Sequence, residues 1–567
     1  MNQHRVASSK KESSVPNLTK EKLFTSSGEK IKEEDHKFRG LMKKCVKEWL
    51  ENSSSHGFSN MIRADSWMIK IVWLILVFIF MAYCIFTVIS IIMTYFKYEV
   101  VVSYKIISDS PSPFPAITIC NLNTFDVSND LSTGAYLEKI LTNNSLTPAI
   151  ALSENDTAIL KVDQINRILR AYATSDKNLS SDDLKKKGFT IDTILVSCFY
   201  NNEECFAENF HWFRDNDFGN CYTFNDLFDG NNQKIESLKT SKSGSDNGLK
   251  MEIFVGVAGR QDLFTVKRGI RVVVHERGVR PLLKYDGIEV STGAATHLAI
   301  SRTTYSNEPP PYSSCRSDPN NILAGDSDYH KYTLLISRYS LALCYEICLQ
   351  YEQIVPNCDC GDPSIPIVHS NLTICHNMDS LKCVKDQRDF FDSNKNIHEV
   401  CGKFCPNDCD QMVYSTAISQ SIYPTDYYAS VLQNQDNLID RFNPSYVYSA
   451  SNNRRKRSIA GSDSLVKTNS TNHINASNSQ ILSYSSTTLS TEKLKESSST
   501  TESGTRPDLA DLASSMLMIS VFYDNLRITQ IRELPAINFE TMLGLIGGQF
   551  GLFMGASFLS FAEIFEM

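Results

Sequence analysis

The sequence lacks an excess of positive charge, which would be the first property expected of a nucleic-acid-binding protein. It has 56 lysines and arginines against 64 aspartates and glutamates, giving a formal net charge of -8. This balance argues against nucleic acid as a partner. The sequence also lacks a nucleophile elbow, a phosphate-binding loop and a metal-ligand spacing. Neither an enzyme nor a cofactor is therefore predicted.

Long hydrophobic runs are few. The mean hydropathy of -0.23 is too polar for a protein that lies mostly inside a bilayer. One uncharged run extends from Ile71 to Phe96. Because about 20 apolar residues span about 30 Å of hydrocarbon, residues 71–96 are predicted to form a transmembrane helix. The basic residues on its N-terminal side are Lys43, Lys44, Lys47, Arg63 and Lys70. By the positive-inside rule, residues 1–70 are predicted to be cytosolic.

A second uncharged run, residues 541–562, is rich in glycine. Gly547, Gly551 and Gly555 recur at four-residue intervals, which places small residues on one helical face. Such a face either packs closely against other helices or lines a pore, and the sequence leaves both interpretations open. Residues 563–567 are predicted to form a short cytosolic end.

Cysteine is abundant, with 16 residues in the chain. Two lie before or within the first apolar run, so the other 14 lie in residues 97–540, which are extracellular if the N-terminus is cytosolic. An even number in an exposed domain predicts a disulfide framework. Zinc is the alternative, because Cys401, Cys405 and Cys409 follow a helical spacing. It is disfavoured because no histidine stands at finger spacing.

The same loop contains sequons for N-linked glycosylation. They are Asn143, Asn155, Asn178, Asn371, Asn469 and Asn475. Their presence fits luminal exposure during synthesis and predicts a glycoprotein.

The loop is predicted to be mainly β-sheet. Residues 100–120 form a strand broken by prolines, and further strands are expected at 249–255, 270–275 and 515–523. A helical stripe that includes Leu334, Leu335, Leu343 and Ile347 predicts a helix over residues 332–350, with core packing as its role.

Residues 449–505 are mostly Ser, Thr and Asn, with few large apolar side chains. Such a composition predicts a flexible insertion. Within it, the basic run from Arg454 to Arg457 has the pattern of a proprotein-convertase site. The alternative is a solvated run of charges that is not cleaved.

Five motifs spread along the chain match one family. They are His56-Gly57, Phe114-Pro115-Ala116-Ile117-Thr118-Ile119-Cys120-Asn121, Gly219-Asn220-Cys221-Tyr222-Thr223-Phe224-Asn225, Pro309-Pro310-Pro311-Tyr312, and Gly547-Gly548-Gln549-Phe550-Gly551-Leu552-Phe553-Met554-Gly555-Ala556-Ser557. By these motifs the chain resembles subunits of the degenerin/epithelial sodium channel superfamily, which includes acid-sensing and peptide-gated channels.

The resemblance implies an α+β membrane protein. Two transmembrane helices would flank a large disulfide-rich β-sheet ectodomain with helical finger and thumb lobes. Subunits would assemble as a homo- or heterotrimer in the plasma membrane, with both termini cytosolic. The second helix of each subunit would line the pore.

The resemblance also assigns a selectivity filter to Gly555, Ala556 and Ser557. Small residues allow a narrow constriction, where carbonyls and a hydroxyl can replace part of the hydration shell of an ion. Glu563 and Glu566 would form acidic rings in the lower pore that favour cations over anions.

Gating roles are implied for four residues. His56 and Gly57 would support the lower pore from the cytosolic side. Gly544 stands where bulk holds channels of the family open, and Tyr312 where an aromatic residue contacts the outer end of the first helix. Leu545 replaces the acidic residue of acid-sensing members, which weakens assignment to that subfamily.

The family also implies a disulfide pattern, which spacing alone cannot choose. The implied pairs are Cys120-Cys221, Cys198-Cys205, Cys315-Cys409, Cys344-Cys405, Cys348-Cys401, Cys358-Cys383 and Cys360-Cys375.

The predicted function is a sodium-preferring, amiloride-sensitive cation channel opened by an extracellular ligand, with a neuropeptide as the leading stimulus. Residues 95–99, just after the first apolar run, contain no histidine, so the plainest proton sensor of acid-sensing members is missing. Proton gating, mechanical gating and a non-conducting two-span receptor or adhesion subunit are the alternatives. The sequence does not decide homomeric or heteromeric assembly, calcium permeability, or whether a cytosolic tail follows residue 567.

Overall fold

The computed structural model describes residues 40–44, 47–48, 58–127, 131–143, 158–257, 265–369, 371–394, 397–435, 438, 441–442 and 507–555. The chain divides into two compact units. The membrane unit contains the chain up to Val101 and from Leu534 onward, and the disulfide-rich unit is Val102–Glu533. Predictions for the following residues lie outside the described residues: His56, Gly57, Asn155, residues 449–505 including Arg454–Arg457, Asn469, Asn475, Ala556, Ser557, Glu563 and Glu566.

The helices are α1 Phe58–Arg63, α2 Trp67–Tyr95, α3 Leu131–Asn143, α4 Ala158–Ser175, α5 Ser181–Lys187, α6 Ile191–Ile194, α7 Asp328–Ile336, α8 Leu341–Leu349, α9 Val355–Cys358, α10 Met378–Asn394, α11 Ile397–Cys401, α12 Asp426–Leu432, α13 Leu509–Ser515 and α14 Phe539–Met554. The strands are β1 Val100–Ser108, β2 Ser112–Pro113, β3 Ala116–Asn121, β4 Leu195–Tyr200, β5 Glu203–Glu204, β6 Phe210–Asp215, β7 Gly219–Phe224, β8 Lys239–Thr240, β9 Leu249–Phe254, β10 Gly269–His275, β11 Ile288–Ser291, β12 Ala294–Ser306, β13 Cys315–Arg316, β14 Asn407–Asp408, β15 Asp410–Ile422 and β16 Met516–Pro535.

The membrane unit contains one long apolar helix, α2, of 29 residues. It begins at Trp67, before the predicted boundary at Ile71, and ends at Tyr95. The helix therefore includes Lys70 in its first turn, and the membrane boundary at Ile71 stays a prediction. Among the described residues, α2 is the one helix long and apolar enough to span a membrane. The described part of α14 has 16 residues.

The disulfide-rich unit is built on a seven-stranded sheet. Its order is β15-β12-β16-β9-β4-β5, with β1 also paired to β16. Strand β16 lies between β12, to which it is parallel, and β9, to which it is antiparallel. It continues to Pro535, beyond the predicted end at Tyr523. This C-terminal strand is therefore central to the sheet.

A second sheet has five strands in the order β11-β10-β3-β7-β6. Apolar side chains of both sheets share one core, for example Ile117 and Ile119 of β3, Met251 of β9 and Val521 of β16, all of them fully buried. Burial of these side chains stabilises the fold by about 25 cal/mol per Å² of apolar surface.

The helix predicted over residues 332–350 is two helices, α7 and α8. Ser337 is extended, with φ of -161°, and the side chain of Ser340 accepts the backbone N–H of Leu343 as the N-cap of α8. A serine that satisfies a free N–H in this way favours a new helix start. The stripe is also incomplete, since Leu335 is 76% exposed whereas Leu343 is fully buried.

Seven disulfides cross-link this unit. They are Cys120-Cys221, Cys198-Cys205, Cys315-Cys409, Cys344-Cys405, Cys348-Cys401, Cys358-Cys383 and Cys360-Cys375. These are the pairs that the resemblance implies. Each of these 14 sulfur atoms is bonded to its partner in a disulfide, so none is a thiolate that could bind zinc.

Three of the sequon asparagines lie in the described part of the chain. Asn143 is the last residue of α3, Asn178 precedes α5, and Asn371 precedes α10; all three are exposed. Their side chains are therefore accessible to modification, which stays a prediction.

Candidate ion pathway

The glycine-rich helix α14 is the first part of the candidate pathway. It begins after Asn538, whose side chain accepts the backbone N–H of Thr541 at 2.7 Å. The described helix ends at Met554, where Gly555 adopts a left-handed conformation with φ of 61°. The predicted boundary at Ala562 lies outside the described residues. Glycine adopts that conformation without a Cβ penalty, and the Gly555 N–H donates to the Gly551 carbonyl at 3.1 Å. The left-handed residue that caps α14 is therefore the first residue of the candidate filter.

A polar contact joins α14 to α2. The Thr87 hydroxyl lies 3.2 Å from the side-chain oxygen Oε1 of Gln549 and 2.9 Å from the Cys84 carbonyl. Both oxygens are acceptors, so they share the single hydroxyl proton of Thr87. Cys84 itself is buried, with 1% of its surface exposed. The contact satisfies an amide that would otherwise lie in an apolar environment.

Aromatic contacts extend the same interface toward Gly555. The ring of Phe553 lies 5.0 Å from the ring of Tyr83, edge to face, and 6.2 Å from that of Phe80. Such aromatic pairs contribute about 0.5–1.5 kcal/mol beyond their burial. They fix the last turn of α14 against α2.

Three glycines of α14 have open space beside them. A Cβ placed on Gly544, Gly548 or Gly551 would meet no atom within 4 Å among the described residues. The gating role of Gly544 stays a prediction. Within this chain, side chains such as Gln549 and Phe553 form the contact with α2.

Tyr312 lies in a turn between β12 and β13. Its backbone N–H donates to the Pro309 carbonyl at 3.1 Å, and the residue is half-buried. It belongs to the disulfide-rich unit, whereas Tyr95 and Tyr98 belong to the membrane unit, where their rings lie 6.3 Å apart. The contact expected between Tyr312 and the outer end of α2 stays a prediction.

A buried ion cluster in the disulfide-rich unit was not found from the sequence. The Arg388 guanidinium of α10 lies 2.5 Å from the Asp362 carboxylate and 2.7 Å from that of Glu346 in α8. Burial would raise the pKa of Asp362, but Arg388 and hydrogen bonds from Ser364 outweigh it and lower the pKa. Glu346 also accepts the hydroxyl of Tyr285 at 2.8 Å. The cluster thus joins α8 and α10 to the loop before β11.

A second buried acid, Glu252 of β9, is held by hydroxyl groups. Its carboxylate accepts Ser197 at 2.7 Å, Tyr423 at 2.8 Å and Tyr428 at 2.6 Å. Burial, together with Glu252, raises the pKa of Tyr423 above its ordinary value. A single acidic residue in a strand gives no sequence signal for this arrangement, because its partners come from distant segments.

Comparison with known proteins agrees with these features. A family model described as amiloride-sensitive sodium channel matches residues 49–567. The chain is 24% identical to the FMRFamide-activated amiloride-sensitive sodium channel of Cornu aspersum, over 91% of this chain and 81% of that one. It is 24% identical to acid-sensing ion channel 1 of Gallus gallus, over 92% and 83%. It is also 24% identical to the epithelial sodium channel subunit gamma of Neoceratodus forsteri, over 72% of this chain and 50% of that one. The resemblance seen in the motifs is thereby confirmed, and the chain belongs to the amiloride-sensitive sodium channel family.

Proposed function

We propose that this chain is a subunit of a trimeric, sodium-preferring cation channel in the plasma membrane, opened by an extracellular neuropeptide. Both termini are cytosolic in this proposal, and the disulfide-rich unit is extracellular. The basic residues before α2 and the seven disulfides support that orientation.

The observation that carries conduction is the left-handed Gly555 at the end of α14. The left-handed conformation ends α14 at the first residue of the filter motif, and a filter needs backbone carbonyls that helical hydrogen bonds do not occupy. Ala556 and Ser557 follow directly in the sequence. The open space around Gly544 and Gly551 supports a glycine face that meets other subunits around the pore.

A peptide stimulus is supported by the relative named for activation by FMRFamide, which matches 91% of this chain. It is also supported by the lack of histidine in residues 95–99. An amidated peptide has no C-terminal negative charge, so a peptide of that kind would favour a site rich in carboxylates.

Protons are a second candidate stimulus, because several carboxylates of the disulfide-rich unit, among them Asp286 and Asp408, have raised pKa values. Burial raises the pKa of Asp286, and burial with neighbouring acids raises that of Asp408. Carboxylates whose pKa is raised take up protons at a higher pH than ordinary aspartates do. Acidification would then change the charge of these carboxylates at a higher pH than it changes the charge of an ordinary aspartate.

Expression of this chain alone in cells, with current recorded during a pH drop and during application of a panel of amidated peptides, tests the proposal. We expect an amiloride-blockable, sodium-selective current during peptide application. Current that appears only on acidification would favour the proton alternative. Surface protein that carries no current under any stimulus, alone or with related subunits, would contradict conduction.

The roles of filter and gate can be separated. Ser557→Ala is expected to reduce discrimination between sodium and potassium, because the hydroxyl is a ligand for a partly dehydrated ion. His56→Ala is expected to change open probability and leave the reversal potential unchanged, because His56 precedes α2 and lies outside the filter motif. A reversal potential that changes in His56→Ala but not in Ser557→Ala would reverse these assignments.

A further inference from the structure

A cavity of about 640 Å³ lies within the disulfide-rich unit, away from the candidate filter. Its walls come from β10 and the loop before β11, from the start of α8, and from β14 with the first half of β15. This volume is in the range of pockets that bind small organic molecules or single side chains of a peptide. It is far larger than a bare metal ion requires.

Four carboxylates line this cavity, namely Glu276, Asp286, Asp408 and Asp410, and no lysine or arginine is among its described lining residues. The acids come together from three segments. Three of them are near enough to interact, since Asp410 and Glu276 both raise the pKa of Asp408, in addition to the effect of burial. His275 also lines the cavity, but burial lowers its pKa to about 4, so it is neutral at physiological pH.

The carboxylates keep hydrogen-bonding capacity for a ligand. Asp408 accepts the backbone N–H of Asp410 at 3.0 Å, and Asp410 accepts the hydroxyl of Ser306 at 2.6 Å. A carboxylate has about four lone-pair positions, so one such bond does not saturate it. Glu276 is different, because Arg338 lies 2.7 Å from it and neutralises its charge. Asp408 and Asp410 form no ion pair within 4.0 Å in the described part of the chain, although Arg338 is near enough to Asp408 to lower its pKa. They lie two positions apart on one wall, so they are the acids that we assign to a ligand.

Aromatic rings complete the cavity. Tyr339 and Tyr345 are buried in its wall and Tyr414 is half-buried. The hydroxyl of Tyr339 donates to the Pro406 carbonyl at 2.6 Å, which fixes the orientation of its ring. Tyrosine faces attract cations that also carry apolar surface, by about 0.5–2 kcal/mol. Carboxylates combined with aromatic faces match an organic cation rather than a hydrated inorganic one.

We propose that this cavity binds a guanidinium or ammonium group of an extracellular organic ligand, with Asp408 and Asp410 as the charged contacts and the tyrosines as the apolar wall. The proposal deepens the proposed function, on which it rests for the extracellular location and for the cationic chemistry of the stimulus. The proposal therefore requires a ligand that carries a positive charge, either on an amino terminus or on a side chain about as large as that of arginine.

The test uses the purified full-length chain and two matched probes, argininamide and citrullinamide. They have nearly the same shape, but the first carries a guanidinium and the second a neutral urea group. Isothermal titration at neutral pH measures their affinities for the wild type, for Asp408→Asn, for Asp410→Asn and for Glu204→Gln. Glu204 is exposed on β5 and does not line the cavity, so its variant is the matched control for loss of one negative charge.

We expect argininamide to bind at least tenfold more tightly than citrullinamide. Each of the two cavity substitutions should lower the affinity for argininamide at least fivefold. The Glu204→Gln control should bind argininamide as tightly as the wild type does. Melting temperatures without ligand identify a variant that fails to fold; if Asp408→Asn fails, the exposed Asp410 still tests the site. Equal affinity for both probes, or cavity variants that bind like the control, would overturn the assignment.

Binding and conduction are measured separately, so their failures can be distinguished. A chain that binds argininamide through Asp408 but never carries current contradicts the channel proposal and leaves the cavity assignment intact. A chain that conducts in response to peptide but does not distinguish the two probes contradicts the cavity assignment alone.

Discussion

At the scale of single residues, the contact between Thr87 and Gln549 is a direct polar link between α2 and α14. Replacing Thr87 with valine keeps the shape but removes the hydroxyl, so the Gln549 amide loses its partner. Interhelical hydrogen bonds of this kind contribute about 0.6 kcal/mol on average, which corresponds to about a threefold change in an equilibrium constant. We expect single-channel recordings of Thr87→Val to show open probability changed by about that factor.

Thr87→Ser provides the control for this prediction, since it keeps the hydroxyl and loses only a methyl group. Serine should therefore gate like the wild type. If the valine and serine variants gate alike, the hydrogen bond has no role in positioning α14.

The buried Arg388 leads to a prediction about stability. Arg388→Gln would leave the carboxylates of Asp362 and Glu346 buried without a cation, which typically costs about 3–5 kcal/mol. We expect a clear fall in the melting temperature of the purified chain. Lys385→Gln removes an exposed positive charge from the same helix and should change the melting temperature little. Equal effects of the two variants would show that the buried pairing is not stabilising.

The same residue gives a pH dependence with a defined sign. In the wild type the pKa of Asp362 is below its ordinary value, so its stabilising contribution is complete above about pH 4 and is lost only in stronger acid. Without Arg388, only the hydrogen bonds from Ser364 oppose the effect of burial, so the pKa of Asp362 is higher in the variant than in the wild type. Protonation of this acid as the pH falls then relieves the variant of an unpaired buried charge. The difference in melting temperature between wild type and Arg388→Gln should therefore narrow from pH 7 to pH 5. A difference that widens would contradict this account.

At the scale of elements, the glycine face of α14 gives the clearest prediction. Gly544 has open space in its own chain, so a larger side chain there need not disturb the contact between α14 and α2. If this face packs against other subunits in the closed pore, bulk at Gly544 will disfavour the closed state. We expect amiloride-blockable background current that rises from Gly544→Ala to Gly544→Leu. Silent channels that reach the surface with both substitutions would contradict the assignment of this face.

At the scale of the whole molecule, cleavage at the basic run from Arg454 to Arg457 would give two chains without a covalent link. The last cysteine, Cys409, lies before the run, whereas β16 lies after it. Because β16 pairs with both β12 and β9, the C-terminal fragment should stay bound through the sheet. We expect the fragments to co-purify under native conditions and to separate on a denaturing gel. A single full-length band for surface protein would show that the run is not cleaved.

The sequence by itself determined the features that depend on local composition and spacing. The apolar run of α2, the even number of cysteines between residues 97 and 540, the strands near 249–255 and 270–275, and the motifs of the family are all visible without coordinates. They are visible because each one is a property of neighbouring residues, such as their apolar character or their period of two along a strand. The disulfide pairs could not be identified from cysteine spacing alone, since only the resemblance to a family selected among the many possible pairings.

Only the tertiary structure decided where distant residues meet. Thr87 and Gln549 are 462 positions apart, and Arg388 meets acids from two other segments. The acidic cavity likewise draws its walls from separate strands and a helix. The break between α7 and α8 and the left-handed Gly555 were also missed, because periodicity predicts a continuous helix wherever apolar residues recur. A pattern along the chain records which faces are apolar, whereas the partner of a polar group is fixed only when packing brings segments of the chain together.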